Sequence, residues 1–153
     1  MALNGKLVSS TSIKLDGDLF FELCRYKLSD MANICPQIVH NVDLVAGQWG
    51  AVGSVFCSNY TLDGEKKFVK AKIEAIDETK RSITYKVVEG SVLEVYTSFK
   101  VTCNIDCNGQ HKVVTWSFEY EKKSACVPHP HTLPDLFSAL TKLLELRCLL
   151  VPN

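Results

Sequence analysis

Residues 81–122 read RSITYKVVEGSVLEVYTSFKVTCNIDCNGQHKVVTWSFEYEK. Near the start of this stretch Ile83, Tyr85 and Val87 alternate with polar residues, which is the period of a strand with one buried face. Turn-forming residues at 89–91 and 107–109 divide the stretch into three strands, at 81–89, 95–106 and 112–122. Because links this short join antiparallel neighbours, the stretch predicts a β-meander.

Further strands precede this meander, and helical patterns flank it. The additional predicted strands are residues 5–15, 38–46, 53–60 and 66–77. Acidic residues at 16–18 predict the start of one short helix, and Ser29 with Asp30 predicts the cap of a second, which Pro36 ends. A long helix follows from residue 133 to about 150. This order predicts an α+β fold, in which a seven-stranded antiparallel sheet wraps around a long C-terminal helix, with two short helices, as a single domain over 1–153.

The long helix is amphipathic over most of its length. Its predicted apolar stripe consists of Leu133, Leu136, Phe137, Leu140, Leu143 and Leu144. Glu145 falls on the opposite, polar side. Beyond it the pattern changes, because Leu146 and Leu149 fall on the polar side and Arg147 within the stripe, before Pro152 prevents continuation. Exposed leucines at this end predict a monomer or a weak dimer.

The charge balance and the hydropathy exclude several classes of protein. Lys and Arg total 17, and Asp and Glu total 17, so the formal net charge is zero and does not favour nucleic-acid binding. No segment approaches the ~20 apolar residues of a membrane span. The N-terminal residues lack the apolar core of a signal peptide. Seven scattered cysteines favour reduced and mostly buried thiols. We therefore expect a cytoplasmic protein without a nucleic-acid or integral-membrane partner.

Two short motifs contain residue types that bind phosphate or metal in other proteins. Residues 47–54, GQWGAVGS, are followed by a strand rather than a helix, which favours a tight connection over a phosphate-binding loop. His129 and His131 flank Pro130 in a spacing that permits adventitious metal binding, but no neighbouring ligand completes a set. We expect no metal, no cofactor and no catalytic residues. The many aromatic residues fit either an ordinary core or the wall of a cavity.

Eight short segments occur together in one order along the chain. They are NGKL at 4–7, LDGDLF at 15–20, VDL at 42–44, GQWGAVGS at 47–54, NYTLDG at 59–64, IEAIDE at 73–78, VEG at 88–90 and WSFEYEK at 116–122. Over roughly residues 1–145 the chain resembles the plant major latex protein family, a branch of the birch pollen allergen and pathogenesis-related superfamily. The resemblance implies a helix-grip fold with a large internal cavity.

The same resemblance implies a function. It is the binding, and the carriage or sensing, of a hydrophobic or amphiphilic small molecule (a sterol, hormone, flavonoid or lipid) by a non-enzymatic protein linked to plant defence or stress. Relatives that catalyse condensation or isomerisation in the cavity leave an enzyme as the alternative. Lys66, Lys70, Tyr85 and Glu119 are its conceivable catalytic residues, although strand parity does not bring them together.

The resemblance also implies which residues form the wall of the cavity. In the strand at 95–106 the family's inward positions and the apolar alternation disagree, so Tyr96 and Phe99 are both included on the expectation of a bulge between Ser98 and Phe99. The predicted ligand-binding residues are Leu19, Leu23, Ile38, Phe56, Ser58, Tyr60, Phe68, Ile83, Tyr85, Val87, Tyr96, Phe99, Val114, Trp116, Phe118, Tyr120, Phe137, Leu140 and Leu144.

Overall fold

A computed structural model describes residues 3–150 as one curved sheet, two short helices and one long helix. The strands are β1 (Asn4–Ile13), β2 (Val39–Ala46), β3 (Val55–Leu62), β4 (Glu65–Asp77), β5 (Ser82–Gly90), β6 (Tyr96–Asn108) and β7 (His111–Lys122). The helices are α1 (Gly17–Tyr26), α2 (Met31–Ile34) and α3 (Thr132–Leu150), with 3-10 turns at Leu28–Asp30 and Ser91–Glu94. The predicted α+β element order is confirmed, whereas the predicted helix stop at Pro152 lies outside the described residues.

All neighbouring strands are antiparallel, and the sheet has the order β1-β7-β6-β5-β4-β3-β2. Five register shifts interrupt the ladders, and each bulge bends and twists the sheet around α3. The bulge predicted between Ser98 and Phe99 lies one step earlier, between Tyr96 and Ser98. Because one extra residue separates them there, Tyr96 and Phe99 are both buried.

Most connections between strands lie at the turn residues that the sequence predicts. Asp63 and Gly64, with φ of 53° and 77°, form the left-handed pair of a tight β3–β4 hairpin. The β5–β6 link has the predicted length but lies one residue later, and it contains the 3-10 turn Ser91–Glu94, which the sequence did not predict. At Gly90 a Cβ atom would lie 2.4 Å from the Phe68 carbonyl oxygen, so only glycine fits this close approach to β4.

The two short helices begin differently. The Asp16 side chain accepts a hydrogen bond from the Asp18 backbone N–H at 3.2 Å, which confirms the predicted N-cap of α1. The predicted cap of the second helix is wrong, because Asp30 has helical backbone angles and makes no side-chain capping bond. The preceding 3-10 turn runs directly into α2, and the Met31 N–H already donates to the Leu28 carbonyl.

The long helix α3 packs along the concave face of the sheet. Its inward residues are Leu133, Leu136, Phe137, Leu140 and Leu144. Two predictions for this helix are wrong: Leu143 is 37% exposed, and Glu145 is only 6% exposed. The Glu145 carboxylate accepts hydrogen bonds from the backbone N–H groups of Lys14 and of Leu15, the latter at 3.1 Å. The chain just after β1 therefore replaces water around this acid.

The last turns of α3 carry the exposed leucines that the sequence predicts. Leu146 and Leu149 are both about half exposed, and Arg147 between them is exposed as well. Over residues 3–150, no helix combines the length and the apolar character that crossing a membrane requires.

The segment 47–54 forms the tight β2–β3 connection that the sequence predicts. Gly47, Gly50 and Gly53 have φ of 83°, 87° and 94°, in the left-handed region that favours glycine. The Ser54 hydroxyl lies within hydrogen-bond distance of two loop carbonyls. At Gly50 a Cβ atom would lie 2.0 Å from the Tyr26 ring, so this loop also packs closely against α1.

Candidate functional site

Two apolar spaces lie between the concave face of the sheet and α3. Lobe 1 has a volume of about 160 Å³ and lobe 2 of about 190 Å³. Lobe 1 is lined by Ile38, Val39, Ser58, Tyr60, Val69, Val87, Val92, Phe99, Val101, Phe118, Leu133, Leu136, Phe137 and Leu140. Lobe 2 is lined by Leu28, Met31, Val39, Val42, Phe56, Ser58, Val69, Ala71, Tyr85, Val87, Val101, Trp116, Phe137 and Leu140.

The lobes are adjacent because they share walls. The residues common to both are Val39, Ser58, Val69, Val87, Val101, Phe137 and Leu140. A smaller space of about 90 Å³, lobe 3, lies between α1 and α3. It shares five residues with lobe 2, which are Leu28, Met31, Trp116, Phe137 and Leu140. Phe137 therefore borders all three lobes, and its ring centroid lies 5.0 Å from those of Trp116 and Phe118.

Most polar groups at the lobes already have protein partners. The Trp116 indole N–H donates to the Thr141 hydroxyl at 2.9 Å, and that hydroxyl donates within α3 at 2.7 Å. The Tyr85 hydroxyl donates to the Cys24 carbonyl at 2.8 Å, and burial raises the pKa of Tyr85 well above its usual value, which keeps the phenol neutral. Ser58, buried at 7% exposure, is the polar residue that faces both main lobes.

Most of the predicted wall residues line a lobe. They are Leu23, Ile38, Phe56, Ser58, Tyr60, Tyr85, Val87, Phe99, Trp116, Phe118, Phe137, Leu140 and Leu144. Trp49 of the glycine-rich loop packs against one of them, Phe56, with ring centroids 5.7 Å apart. Contact between these residues and a ligand stays a prediction.

Leu19 and Phe68 do not line any of the lobes because each faces away from the cavity. Leu19 is 40% exposed, since the buried face of α1 is centred on residues such as Phe20, one step further round the helix. In β4 the inward residues are Val69 and Ala71, so Phe68 lies on the outer face. A shift of one residue in a strand reverses the face of every side chain.

Ile83 and Val114 face inward but lie in solid core rather than at a lobe. Both are 0% exposed. Helix α1 covers this end of the sheet so closely that a Cβ atom on Gly17 would lie 2.3 Å from the Cys107 sulfur. Because α1 fills the space at this end of the sheet, Ile83 and Val114 pack against other core residues. None of the lobes found within residues 3–150 reaches them.

Tyr96 and Tyr120 belong to an aromatic cluster at the start of α3. The Tyr96 ring centroid lies 5.4 Å from those of Phe99 and Tyr120. The Tyr96 hydroxyl donates to the Pro128 carbonyl at 2.6 Å, and the Tyr120 hydroxyl is hydrogen-bonded to His129 Nδ1. These phenols anchor the link between β7 and α3, and only Phe99 of the cluster reaches lobe 1.

Sequence reasoning missed several apolar wall residues. They are Leu28, Met31, Val39, Val42, Val69, Ala71, Val92, Val101, Leu133 and Leu136. In β4 a signal exists, because the apolar residues at 69, 71 and 73 alternate with charged residues at 70, 72 and 74. The wall residues from α2 and the 3-10 turns lie in segments too short to show a period.

The conceivable catalytic residues are not brought together. Lys66 and Glu119 are exposed, and Lys70 pairs with Glu89 at 3.4 Å on the outer face of the sheet. Only Tyr85 borders a lobe, and its hydroxyl is bound to the backbone of α1. In the described part of the chain, no three His, Cys, Asp or Glu side chains are grouped as a metal site requires.

The sequence of the whole sheet-and-helix unit matches a known family model. Residues 2–150 match the pathogenesis-related protein Bet v 1 family. The chain belongs to the Bet v 1 family. MLP-like protein 28 of Arabidopsis thaliana is 38% identical to this Bet v 1 family member over 146 residues and covers 94% of the chain, although the chain spans only 44% of that relative's length. These similarities lie in the major latex protein branch, as the sequence motifs predict.

Solved structures share the helix-grip fold of this Bet v 1 family member. The crystal structure of ginseng major latex-like protein 151 from Panax ginseng is 39% identical, covers 95% of this chain and 98% of its own, and has a TM-score of 0.93. Truncated norcoclaurine synthase from Thalictrum flavum, covering 100% of this chain and 98% of its own, has a TM-score of 0.80 at 15% identity. At that identity the enzyme shares the fold alone.

Proposed function

We propose that this Bet v 1 family member binds a hydrophobic or amphiphilic small molecule in lobes 1 and 2, and carries or senses it without chemical turnover. The candidate ligand classes are a sterol, hormone, flavonoid or lipid, in a plant defence or stress response. One observation carries the proposal: the adjoining spaces of about 160 and 190 Å³ have almost entirely apolar walls. Burial of apolar ligand surface in such walls contributes ~25 cal/mol per Å² before the cost of association.

The volumes limit the size of the ligand. A dry apolar cavity of about 150 Å³ accommodates a benzene-sized molecule, whereas drug-sized ligands occupy roughly 300–1,000 Å³. A ligand of several rings must therefore extend through both lobes, past the shared side chains Phe137 and Leu140. The Ser58 hydroxyl, which faces both lobes, is the group best placed to orient a polar atom of such a ligand.

A binding role agrees with the positions of the four conceivable catalytic residues. Lys66, Lys70 and Glu119 lie outside the lobes, and the Tyr85 phenol is held by hydrogen bonding. Proton transfer in a cavity needs a titratable group directed at the substrate. This arrangement supports carriage or sensing rather than condensation or isomerisation.

The proposed setting is the cytoplasm, with the protein a monomer or weak dimer. All seven cysteines are free thiols, which suits a reducing compartment. The exposed residues Leu143, Leu146 and Leu149 form the surface that would support weak self-association. Sedimentation at increasing protein concentration tests this, and a tight dimer at micromolar concentration would contradict it.

The binding experiment uses the neutral fluorescent probe N-phenyl-1-naphthylamine and its displacement by a panel of sterols, hormones, flavonoids and lipids. Phe137→Ala should weaken probe binding at least about fivefold, because that ring borders all three lobes. The matched control is Ile105→Ala, since Ile105 is 1% exposed and lines none of these lobes. The control should lose about 2–5 kcal/mol of stability and keep its affinity for the probe.

Two results would overturn the proposal. One is the absence of any probe binding or displacement by the wild-type protein. The other is a Phe137→Ala variant that loses the ~3–5 kcal/mol of stability typical of a core aromatic deletion while its affinity for the probe stays intact. Turnover of a panel compound that stops with Tyr85→Phe would replace the proposal with the enzymatic alternative.

A further inference from the structure

A polar space opens at the C-terminal end of α3, on the side away from lobe 1. We call it the polar mouth; its volume is about 220 Å³. The lining residues are Leu23, Lys27, Asp30, Asn33, Ile34, Leu144, Arg147 and Cys148. Lys27, Asp30, Asn33 and Arg147 are exposed, so this space faces solvent and has a charged rim.

The polar mouth adjoins the apolar lobes. It shares Leu23, Lys27 and Leu144 with lobe 3. Lobe 3 in turn shares Leu28, Met31, Trp116, Phe137 and Leu140 with lobe 2. The spaces follow one another along α3, and at 1.5 Å per residue the helix axis advances about 15 Å from Phe137 to Arg147. The row is thus long enough for a single-chain tail.

The rim of the mouth is positively charged. Lys27 and Arg147 outnumber the one acid, Asp30. Among the ion pairs formed within residues 3–150, neither cation has a carboxylate partner. Burial raises the pKa of Cys148, Lys27 and Arg147 act to lower it, and Asp30 acts to raise it, so two cations and one acid lie near this half-buried thiol. Two unpaired cations at the end of an apolar passage fit an anion better than a neutral group.

We propose that the ligand is an anionic amphiphile, with its carboxylate or phosphate headgroup in the polar mouth between Lys27 and Arg147 and its tail extending through lobe 3 into lobe 2. This inference rests on the proposed function, and it specifies the charge and orientation of the ligand. The headgroup stays solvated at the rim, so binding requires no burial of charge. The Arg147 guanidinium matches either headgroup with paired N–H donors. A headgroup site at the polar mouth also explains why the cation Arg147 interrupts the predicted apolar stripe of α3.

The test compares ligands with one tail and different headgroups. Displacement of N-phenyl-1-naphthylamine is measured with dodecanoate, dodecyl phosphate and dodecanol at pH 7.5, in low and in physiological salt. Each exposed charge pair contributes only modestly, so the two cations together should make the anionic ligands bind about tenfold more tightly than dodecanol, and salt should reduce this difference. The stronger of the two anions identifies the headgroup.

Two double variants isolate the cations. Lys27→Ala with Arg147→Ala should abolish the preference for anions; because Lys27 also borders lobe 3, the readout is the ratio of dodecanoate or dodecyl phosphate affinity to dodecanol affinity within each variant. Lys72→Ala with Lys86→Ala removes two exposed cations of the sheet and should leave the preference intact. Lys27→Glu with Arg147→Glu should reverse it, so that dodecylamine binds more tightly than dodecanoate.

The outcomes separate this inference from the proposed function. Equal affinity of the wild type for dodecanoate, dodecyl phosphate and dodecanol would overturn the inference, as would an anion preference that survives loss of both cations. In either case probe binding in the lobes would still support the proposed function. Failure of the wild type to bind the probe or any of these ligands would overturn both.

Discussion

Replacing Glu145 by alanine removes the acceptor that joins α3 to the chain just after β1. The carboxylate accepts from the backbone N–H groups of Lys14 and Leu15 and is 6% exposed. A buried N–H left without an acceptor costs roughly 1–3 kcal/mol, which applies to Leu15, and the part-buried Lys14 N–H adds less, so the upper range is about 5 kcal/mol. Water that enters the truncated site offsets part of this, so we expect a loss of about 3 kcal/mol.

The assay is urea unfolding at pH 7, supported by thermal unfolding. A loss of about 3 kcal/mol corresponds to a fall in Tm of roughly 6–12 °C for a domain of this size. Glu145→Gln retains the volume and one accepting oxygen, and should lose less than half as much. Glu22→Ala is the control, because Glu22 is an exposed acid on α1. If Glu145→Ala and Glu22→Ala agree within about 0.5 kcal/mol, the reasoning is refuted.

The same contact predicts a dependence on pH. Burial acts to raise the pKa of Glu145, but the Lys14 and Leu15 N–H donors and Lys142 outweigh it, so the pKa lies below the ordinary value of a glutamate. A carboxyl with a lowered folded-state pKa contributes stability above about pH 4.5 and loses it as the pH falls through the folded-state value. Glu145→Gln should therefore flatten this part of the stability curve, and an unchanged acid limb would contradict the assignment.

Three further predictions follow from other contacts. In urea unfolding, Gly50→Ala should lower the free energy of unfolding more than Gly53→Ala does. Both glycines have positive φ, but only a Cβ atom at Gly50 would meet an aromatic ring, that of Tyr26 at 2.0 Å. Equal losses would contradict this packing. Tyr85→Phe should cost about 1 kcal/mol in the same assay, since its hydroxyl loses the 2.8 Å bond to α1, and a gain in stability would count against that bond. In iodoacetamide labelling read by peptide mass mapping, the exposed Cys107 should react in the folded protein. Cys103 is buried and its pKa is raised by burial, so it should react only after unfolding. Labelling of Cys103 in the folded protein would contradict this burial.

The fold was accessible from the sequence because its signals are local. Alternation such as Ile83, Tyr85 and Val87 sets the strands, and short turn sequences set their antiparallel order. The prediction for Phe68 is wrong because it follows from the family resemblance, whereas the alternation of charged residues around Val69 indicates the opposite face. A register error of one residue then placed the wrong face of β4 in the cavity.

The parts of the site that sequence reasoning missed depend on contacts between distant segments. Glu145 looks like a solvent-facing helix residue, and its partners Lys14 and Leu15 lie about 130 positions earlier. Ile83 and Val114 have the correct inward parity, but α1 fills their end of the sheet. Periodicity reports which face a side chain takes, not whether a helix or an empty space lies opposite.

The sheet is not closed on itself, since its two outer strands are β1 and β2. The gap between them is covered by helices: α3 packs on β1 and α2 packs on β2. Widening the sheet would break a ladder of backbone hydrogen bonds, whereas tilting the helices chiefly exchanges one set of apolar contacts for another. The cavity thus has a stiff wall and a compliant wall, and its volume is adjustable on the helical side alone. On that side the hydrogen bonds that Glu145 accepts from the chain just after β1 fix one point of α3, so any adjustment of the helical wall must come from the parts of α3 away from this contact.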